Sequence, residues 1–401
     1  MQNSEKRSMT EVHNLRDVAI IGIGETQIGE LWDKSLRELG IEAGLKALKD
    51  AGLHGDEVEK LYVGNMSAGK LINQEHVAPL IADYAGISEV PSTRIESGSA
   101  SGGMALAEGY KAVASGMEDI VVVGGAEKMT DVGEQEAKDI LSSTADQEWE
   151  TVFGATFDSL YAMMARYHMD NHGTTKDQLA QVAVKNHANA AKNPNAQYPR
   201  ETSKKFVKNA PMVADPLGMF DCAPISDGGA AVVLCPAERA DSFDGDPVEI
   251  VSLGQGGDHM AVHERRDIGT MKATERAAKK AYKRASVKPQ DIDFAEVHDN
   301  YTITEIMAIE DLGFFEKGEG GRATEEGKTE LNSDISINTS GGLKAKGRPV
   351  GAVGLNQAVE AVLQLRGEAG ERQVDQPGYG LIHNIGGTGA SAIVHILRRW
   401  S

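Results

Sequence analysis

The sequence predicts an α/β layered fold in which one strand–helix–strand unit is built twice. Apolar runs of strand length alternate with helical runs along the chain, and the order and spacing seen in residues 1–125 return in residues 247–401. Residues 126–246 differ in character and read as an insertion lying over the core and covering the site, which gives three expected regions: 1–125, 126–246 and 247–401.

The first strand is the uninterrupted run Val18-Ala19-Ile20-Ile21-Gly22-Ile23-Gly24. A helix follows from about Ser35, whose hydroxyl suits an N-cap, with Leu39, Ala43, Ala47 and Ala51 on one face. Gly52 ends it, and residues 58–63 read as a second buried strand. In the second half, residues 248–254 match the first strand and Ala277, Ala281 and Ala285 repeat the small-residue helix face. Asp291-Ile292-Asp293 then stands where Glu57-Val58-Glu59 stood, ahead of a strand at 294–297. Each half closes alike, with a Gly/Ser-rich loop, a long helix (104–115; 353–365) and a strand (120–123; 380–383, the latter followed by 392–397). Alanines recur on helix faces by chance; the shared order of three elements makes a duplication the better account.

The middle region is helical at 160–171 and 175–192, with Thr174 or Thr175 as the cap of the second helix. Tyr161, Met163, Met164, Tyr167 and Met169 recur at helical spacing, which fits either core packing or a substrate surface.

Composition bounds the function. With 401 residues and 40% hydrophobic content, the chain can bury a large core, and no run of eighteen apolar residues predicts a membrane span. Residues 1–16 are polar and lack the apolar stretch of a secretory signal. Two cysteines, Cys222 and Cys235, make no disulfide framework or metal-ligand spacing, which suits a reducing cytoplasm. A net charge of −19 argues against nucleic acid as partner; it serves solubility, or a high-salt (halophilic) cytoplasm.

Four glycine- and polar-rich loops follow predicted strands, where ligands gather in open α/β sheets. In the first, Glu96-Ser97-Gly98-Ser99-Ala100-Ser101-Gly102-Gly103, a side chain meets a helix N-terminus that favours negative charge; plain capping is the simpler reading. It lacks the G-x-S-x-G elbow of hydrolases. The second, Glu296-Val297-His298-Asp299-Asn300-Tyr301, offers a histidine able to polarise a carbonyl or move a proton. The third runs from Asn338 to Gly354 and carries Lys344, Lys346 and Arg348, a candidate cluster for an anionic ligand. The fourth, His383-Asn384-Ile385-Gly386-Gly387-Thr388-Gly389, can supply oxyanion-binding N–H groups, and is not a clean dinucleotide fingerprint.

Taken in order, the four loops, the duplicated halves and the stretch Asp221-Cys222-Ala223-Pro224-Ile225-Ser226-Asp227-Gly228-Gly229 resemble the thiolase superfamily along nearly the whole chain. His-Asp in the second loop and His-Asn-x-Gly in the fourth are similar to the archaeal and sterol-carrier-protein branch, the acetyl-CoA acetyltransferases or β-ketothiolases. The resemblance implies a core of two mixed-sheet halves in αβαβα layers and a Claisen condensation of two acyl-CoA molecules, or its reversal. Coenzyme A would be substrate, with no permanently bound cofactor and no metal. It also implies a homodimer or tetramer, and a small OB-fold (DUF35-like) partner subunit.

Carried over position by position, the family's nucleophile falls on Ser99 instead of cysteine, and its oxyanion residue on His298. The usual Gly-His-Pro of the third loop is Gly347-Arg348-Pro349, so its base is missing. The fourth loop's acid/base position falls on Asn384, beside His383, and the oxyanion N–H on Gly386. The resulting expectation is a Ser99–His298–His383 catalytic set, with one histidine taking the serine proton and the other the substrate α-proton. Arg348, Asn384 and Gly386 would bind substrate, Arg348 holding an oxyanion or a coenzyme A phosphate. A non-catalytic acyl-CoA-binding scaffold is the alternative.

Overall fold

The structure, a computed structural model, describes residues 15–400, so most of the polar N-terminal stretch lies outside the described residues. In chain order the strands are β1 (Val18–Glu25), β2 (Lys60–Gly64), β3 (Ser92–Ile95), β4 (Val121–Glu127), the small hairpin β5 (Met212–Ala214) and β6 (Leu217–Gly218), β7 (Gly228–Pro236), β8 (Val248–Gly257), β9 (Phe294–Glu296), β10 (Ser336–Ile337), β11 (Tyr379–Gly386) and β12 (Ser391–Arg399). All but the hairpin join one sheet, ordered β10-β9-β11-β12-β8-β1-β7-β4-β2-β3.

That order is a palindrome of the duplication. Outward from the centre each half pairs antiparallel twice and then parallel twice: β1–β7–β4–β2–β3 on one side, β8–β12–β11–β9–β10 on the other. The halves meet along a short antiparallel seam, Ala19 opposite Glu249 and Ile20 opposite Val248. Helices Ser101–Ala114 and Val353–Arg366 pack on each other and each touches strands of both halves, which makes them a central layer. Helices Leu36–Ala51 and Lys272–Ala285 cover the outer faces. Buried on both faces, β1 and β7 are apolar or small throughout apart from Glu25, as the centre of a covered sheet requires.

The repeated alanines have a physical cause. Ser35 and Glu38 form a reciprocal capping box that starts helix Leu36–Ala51, and Gly52 ends it in the left-handed region. Its Ala43 and Ala47 lie so close to β1 that a Cβ on Gly22 or Gly24 would overlap their backbone. In the second half Gly254 and Gly256 meet Ala277 and Ala273 in the same way. Glycine on the strand and alanine on the helix thus form one contact, made twice.

Residues 228–236, placed in the middle region by the sequence, form β7 between β1 and β4. The segment lying outside the sheet is therefore 128–227. Within it, Thr156 and Thr175 cap helices Phe157–His172 and Lys176–Ala190 through reciprocal side-chain bonds. Of the Met/Tyr stripe, Tyr161 and Met164 are buried, whereas Met163 is exposed.

Gly254→Ala should lower the unfolding free energy in urea by about 2 kcal/mol through overpacking. Gly257→Ala, whose nearest neighbour would be Ala390 O at 3.9 Å, should be close to neutral. Equal effects from the two substitutions would show that the strand–helix contact is not tight.

Candidate active site

All four loops converge where the central helices begin, and glycine lets their backbones touch. A Cβ on Gly98, which has φ of +57°, would lie 2.9 Å from Gly387 N. One on Gly102 would lie 2.9 Å from Gly351 O, and one on Gly386 would overlap Ser97 O. The first loop is thereby clamped against the third and the fourth.

Ser99 is buried two residues ahead of helix Ser101–Ala114, which starts three residues before the sequence pattern indicated. The hydroxyl that fastens the turn belongs to Ser101, accepting from Ser97 N at 2.9 Å and donating to Gly98 O at 2.6 Å. Ser99 is thus not needed as the turn's fastener, and the helix dipole favours negative charge near it.

His298 is fully buried and neither ring nitrogen has a partner. Burial, then His383 and the charge of Arg348, hold its pKa well below the usual histidine value, so it is neutral at neutral pH. His383 lies on the opposite side of β11 from Asn384. Its Nε2 is 2.9 Å from the Thr274 hydroxyl, and its Nδ1 faces the His298 backbone N–H at 3.5 Å. Accepting at Nδ1 puts the ring proton on Nε2, and burial lowers its pKa to about 3. The ring of His383 is engaged in holding the second loop.

Asn384 points into the central layer. Its Nδ2 donates to Gln357 Oε1 at 2.5 Å, and its Oδ1 fills the space that a Cβ on Gly103 or Gly354 would need. Neither His383 nor Asn384 lines the cavity described next.

A cavity of about 1330 Å³ lies between the 128–227 segment and the third loop. Its wall includes Lys344, Arg348, Tyr301, Asp158, Phe220 and Cys222, but neither Ser99 nor His298. The three cations of the third loop part company here. Lys346 is bound in a buried ion pair to Glu25 at 2.9 Å and is not available to a ligand. Lys344 is buried 5.4 Å above the Phe220 ring, and burial lowers its pKa. Arg348 is held by its backbone N–H on Ser226 Oγ at 2.8 Å, while Nε and Nη1 are buried without a partner. Among the described residues neither Lys344 nor Arg348 has an anionic partner within salt-bridge distance. Asp299 positions Lys344 by accepting from Leu343 N at 2.6 Å and Lys344 N at 3.2 Å. Glu30, Glu134, Asp139, Asp158 and Glu201 also line the cleft, so an anion is suited to the Lys344–Arg348 pair and not to the cleft as a whole.

Sequence reasoning passed over Tyr301, Asp158 and Phe220. Tyr301 stacks on Tyr161 with centroids 4.5 Å apart and donates from Oη to Asp158 Oδ1 at 2.5 Å. Tyr301 sits in a quoted loop, whereas Asp158 reads in sequence only as an acidic residue in a helix's first turn. Cys222 borders the cavity, yet burial pushes its thiol up to about 12, as it does for Cys235, so neither is a ready nucleophile.

Lys344→Met should raise the unfolding free energy by about 1 kcal/mol, because it removes a buried charge that has no partner. A urea midpoint that falls instead would show that the ammonium stabilises the unliganded protein.

Residues 18–238 match the family model "Thiolase, N-terminal domain", and residues 254–399 match "Thiolase C-terminal domain-like". The chain is 54% identical over 96% of its length to the acetyl-CoA acetyltransferase of Methanothermobacter thermautotrophicus, all of which is covered. It is 47% identical, also over 96%, to 99% of the acetyl-CoA acetyltransferase of Methanocaldococcus jannaschii. The solved Ltp2-ChsH2(DUF35) aldolase superposes with a TM-score of 0.83 at 28% identity, covering 96% of this chain and 98% of that one. With both halves matched and relatives similar along almost their whole length, the chain belongs to the thiolase family.

Proposed function

We propose that the protein is an acetyl-CoA acyltransferase that joins two acyl-CoA molecules into a 3-ketoacyl-CoA, or runs the reverse thiolysis, through an acyl-Ser99 ester. The observation that carries this reading is the cavity bearing two unpaired cations beside the four converging loops, in a chain 54% identical to a protein named acetyl-CoA acetyltransferase. Coenzyme A is anionic and long, and the 1330 Å³ cleft with Lys344 and Arg348 offers it both space and charge.

Ser99 Oγ attacks the thioester carbonyl; its proton passes to a free ring nitrogen of His298 and on to the departing sulfur. A hydroxyl is a weak nucleophile without such a base. Because the pKa of His298 is depressed, this proton transfer is uphill, and the fixed charge of Arg348 and the N–H of Gly386 stabilise the oxyanion. One such donor contributes about 3 kcal/mol. His383 and Asn384 act at one remove, His383 by orienting the His298 backbone and Asn384 by fixing the spacing of the central helices. The chain works as a homo-oligomer in a cytoplasm, and its charge of −19 suits high salt. A small OB-fold subunit accompanies it, as the DUF35 component in the name of the similar aldolase supports.

Intact-mass measurement after incubation with acetyl-CoA tests the proposal. The parent protein should gain one acetyl group and Ser99→Ala none. Coenzyme A binding without acylation of the parent would instead support a scaffold.

A further inference from the structure

The reaction proposed above needs a group to take the α-proton of the second acyl-CoA, and the family positions for that base hold none. Asn384 occupies the acid/base position and is committed to Gln357. Arg348 occupies the third-loop position and stays protonated. His383 turns its ring toward Thr274.

The cavity wall, however, contains a hydrogen-bonded acid–base pair. Tyr301 is buried and lines the cleft with Arg348; its Oη donates to Asp158 Oδ1 at 2.5 Å. Asp158 also lines the cleft and is only half-buried, so the pair runs from the interior toward water. The ring is fixed by stacking on Tyr161 and by Phe157, whose centroid is 6.1 Å away. Tyr161 in turn donates to Gly387 O at 2.7 Å, tying this aromatic set to the fourth loop. Burial and the Asp158 charge keep the tyrosine hydroxyl protonated, so Tyr301 stands as the donor in its hydrogen bond to Asp158.

We infer that Tyr301 and Asp158 form the proton relay for enolate formation, Tyr301 meeting the substrate and Asp158 acting through it. This rests on the acyltransferase reading. The α C–H bond breaks and its electron pair forms the enolate C=C bond, leaving negative charge on the thioester oxygen beside Arg348. The proton goes to Tyr301 Oη as the Oη proton passes to Asp158 Oδ1. The enolate carbon then attacks the acyl-Ser99 carbonyl, the C–C bond forms and the C–O bond to Ser99 breaks; the serine oxygen takes a proton from water through His298, and Asp158 gives its proton to water, which balances the step. In thiolysis the same groups return the proton to carbon.

Deuterium uptake from D2O into the methyl group of acetyl-CoA reads the enolisation step separately from acylation. Tyr301→Phe, which keeps the ring and its stacking, should slow uptake at least about 100-fold. Asp158→Asn should slow it similarly, because an amide can still accept the Tyr301 hydrogen bond but cannot store the proton. In both variants the acetyl mass on Ser99 should still form at saturating acetyl-CoA, because acylation does not require the enolate. Uptake at the parent rate in either folded variant overturns the relay and leaves the acyltransferase reading intact. A parent protein that neither acylates nor exchanges overturns both. Should Tyr301→Phe not fold, Asp158→Asn decides the matter alone.

Discussion

The distance between the two central helices governs the rest of the site. Helices Ser101–Ala114 and Val353–Arg366 approach until backbone meets backbone: a Cβ on Gly354 would overlap Gly103 N, and one on Gly103 would overlap Asn384 Oδ1. Only glycine allows this, and its cost in chain entropy is offset by the layers that bury both helices. The first loop is the N-terminal lead of one helix and the third loop that of the other. Their N-terminal dipoles and free N–H groups are therefore brought to one place. The fourth loop is placed by the same contact, through Asn384. A methyl group at any of these glycines would move two loops apart at once, and a shift on the order of 1 Å is enough to lose much of a catalytic geometry.

Charge at the site follows a second constraint. A buried ion that loses its partner costs on the order of 3–5 kcal/mol, so buried lysines and arginines are normally matched. This chain obeys that rule where it builds structure: Lys346 has Glu25, Lys128 has Asp227, Lys185 has Glu305 and Arg372 has Glu360. Among the described residues Arg265 has no carboxylate partner and donates instead to the carbonyls of His259, Met260 and Thr388, whereas Lys344 and Arg348, both on the cavity wall, have no ion pair. The contrast between matched and unmatched cations within one five-residue stretch separates Lys346 in the scaffold from Lys344 and Arg348 on the cavity wall. The histidines show the converse. Burial leaves both neutral at neutral pH, His298 with its two ring nitrogens unpartnered and His383 orienting the second loop, so the positive field comes from guanidinium and ammonium.

Much of the fold was legible in the sequence because its signals are local. Ser35 and Glu38, Gly52, the apolar run at 18–24 and the spacing of Ala43 and Ala47 all act within a few residues of themselves. Strand β7 was missed for a physical reason. It begins Gly228-Gly229-Ala230-Ala231, with neither alternation nor β-branched residues, since its neighbours β1 and β4 and the covering helices leave no room for larger side chains. At the site, loop positions were legible but side-chain directions were not. Period two puts His383 and Asn384 on opposite faces of β11, yet only the layers show that one face meets helix Lys272–Ala285 and the other the central helices. Asp158 belongs to the site through a hydrogen bond spanning 143 residues of sequence, which no local pattern encodes.

The duplication itself explains why a palindromic sheet carries one site. The connection from β4 to β7 and that from β11 to β12 are equivalent in the two halves. The first spans residues 128–227, whereas the second is the short turn 387–390. The long connection does not cover its own half alone. It crosses to the other: Tyr161 binds Gly387 O, Glu150 Oε1 accepts from Val262 N at 2.6 Å, and Asp158 accepts from Tyr301. Each contact joins the insertion of the first half to a loop of the second. A two-fold core alone would offer two equivalent clefts, each open to water. Lengthening one connection roofs the loops of the opposite half and sets Tyr161, Phe220 and Asp158 beside Tyr301. The asymmetry of one connection, laid on a symmetric sheet, is what gives a duplicated scaffold a cleft roofed from one half only.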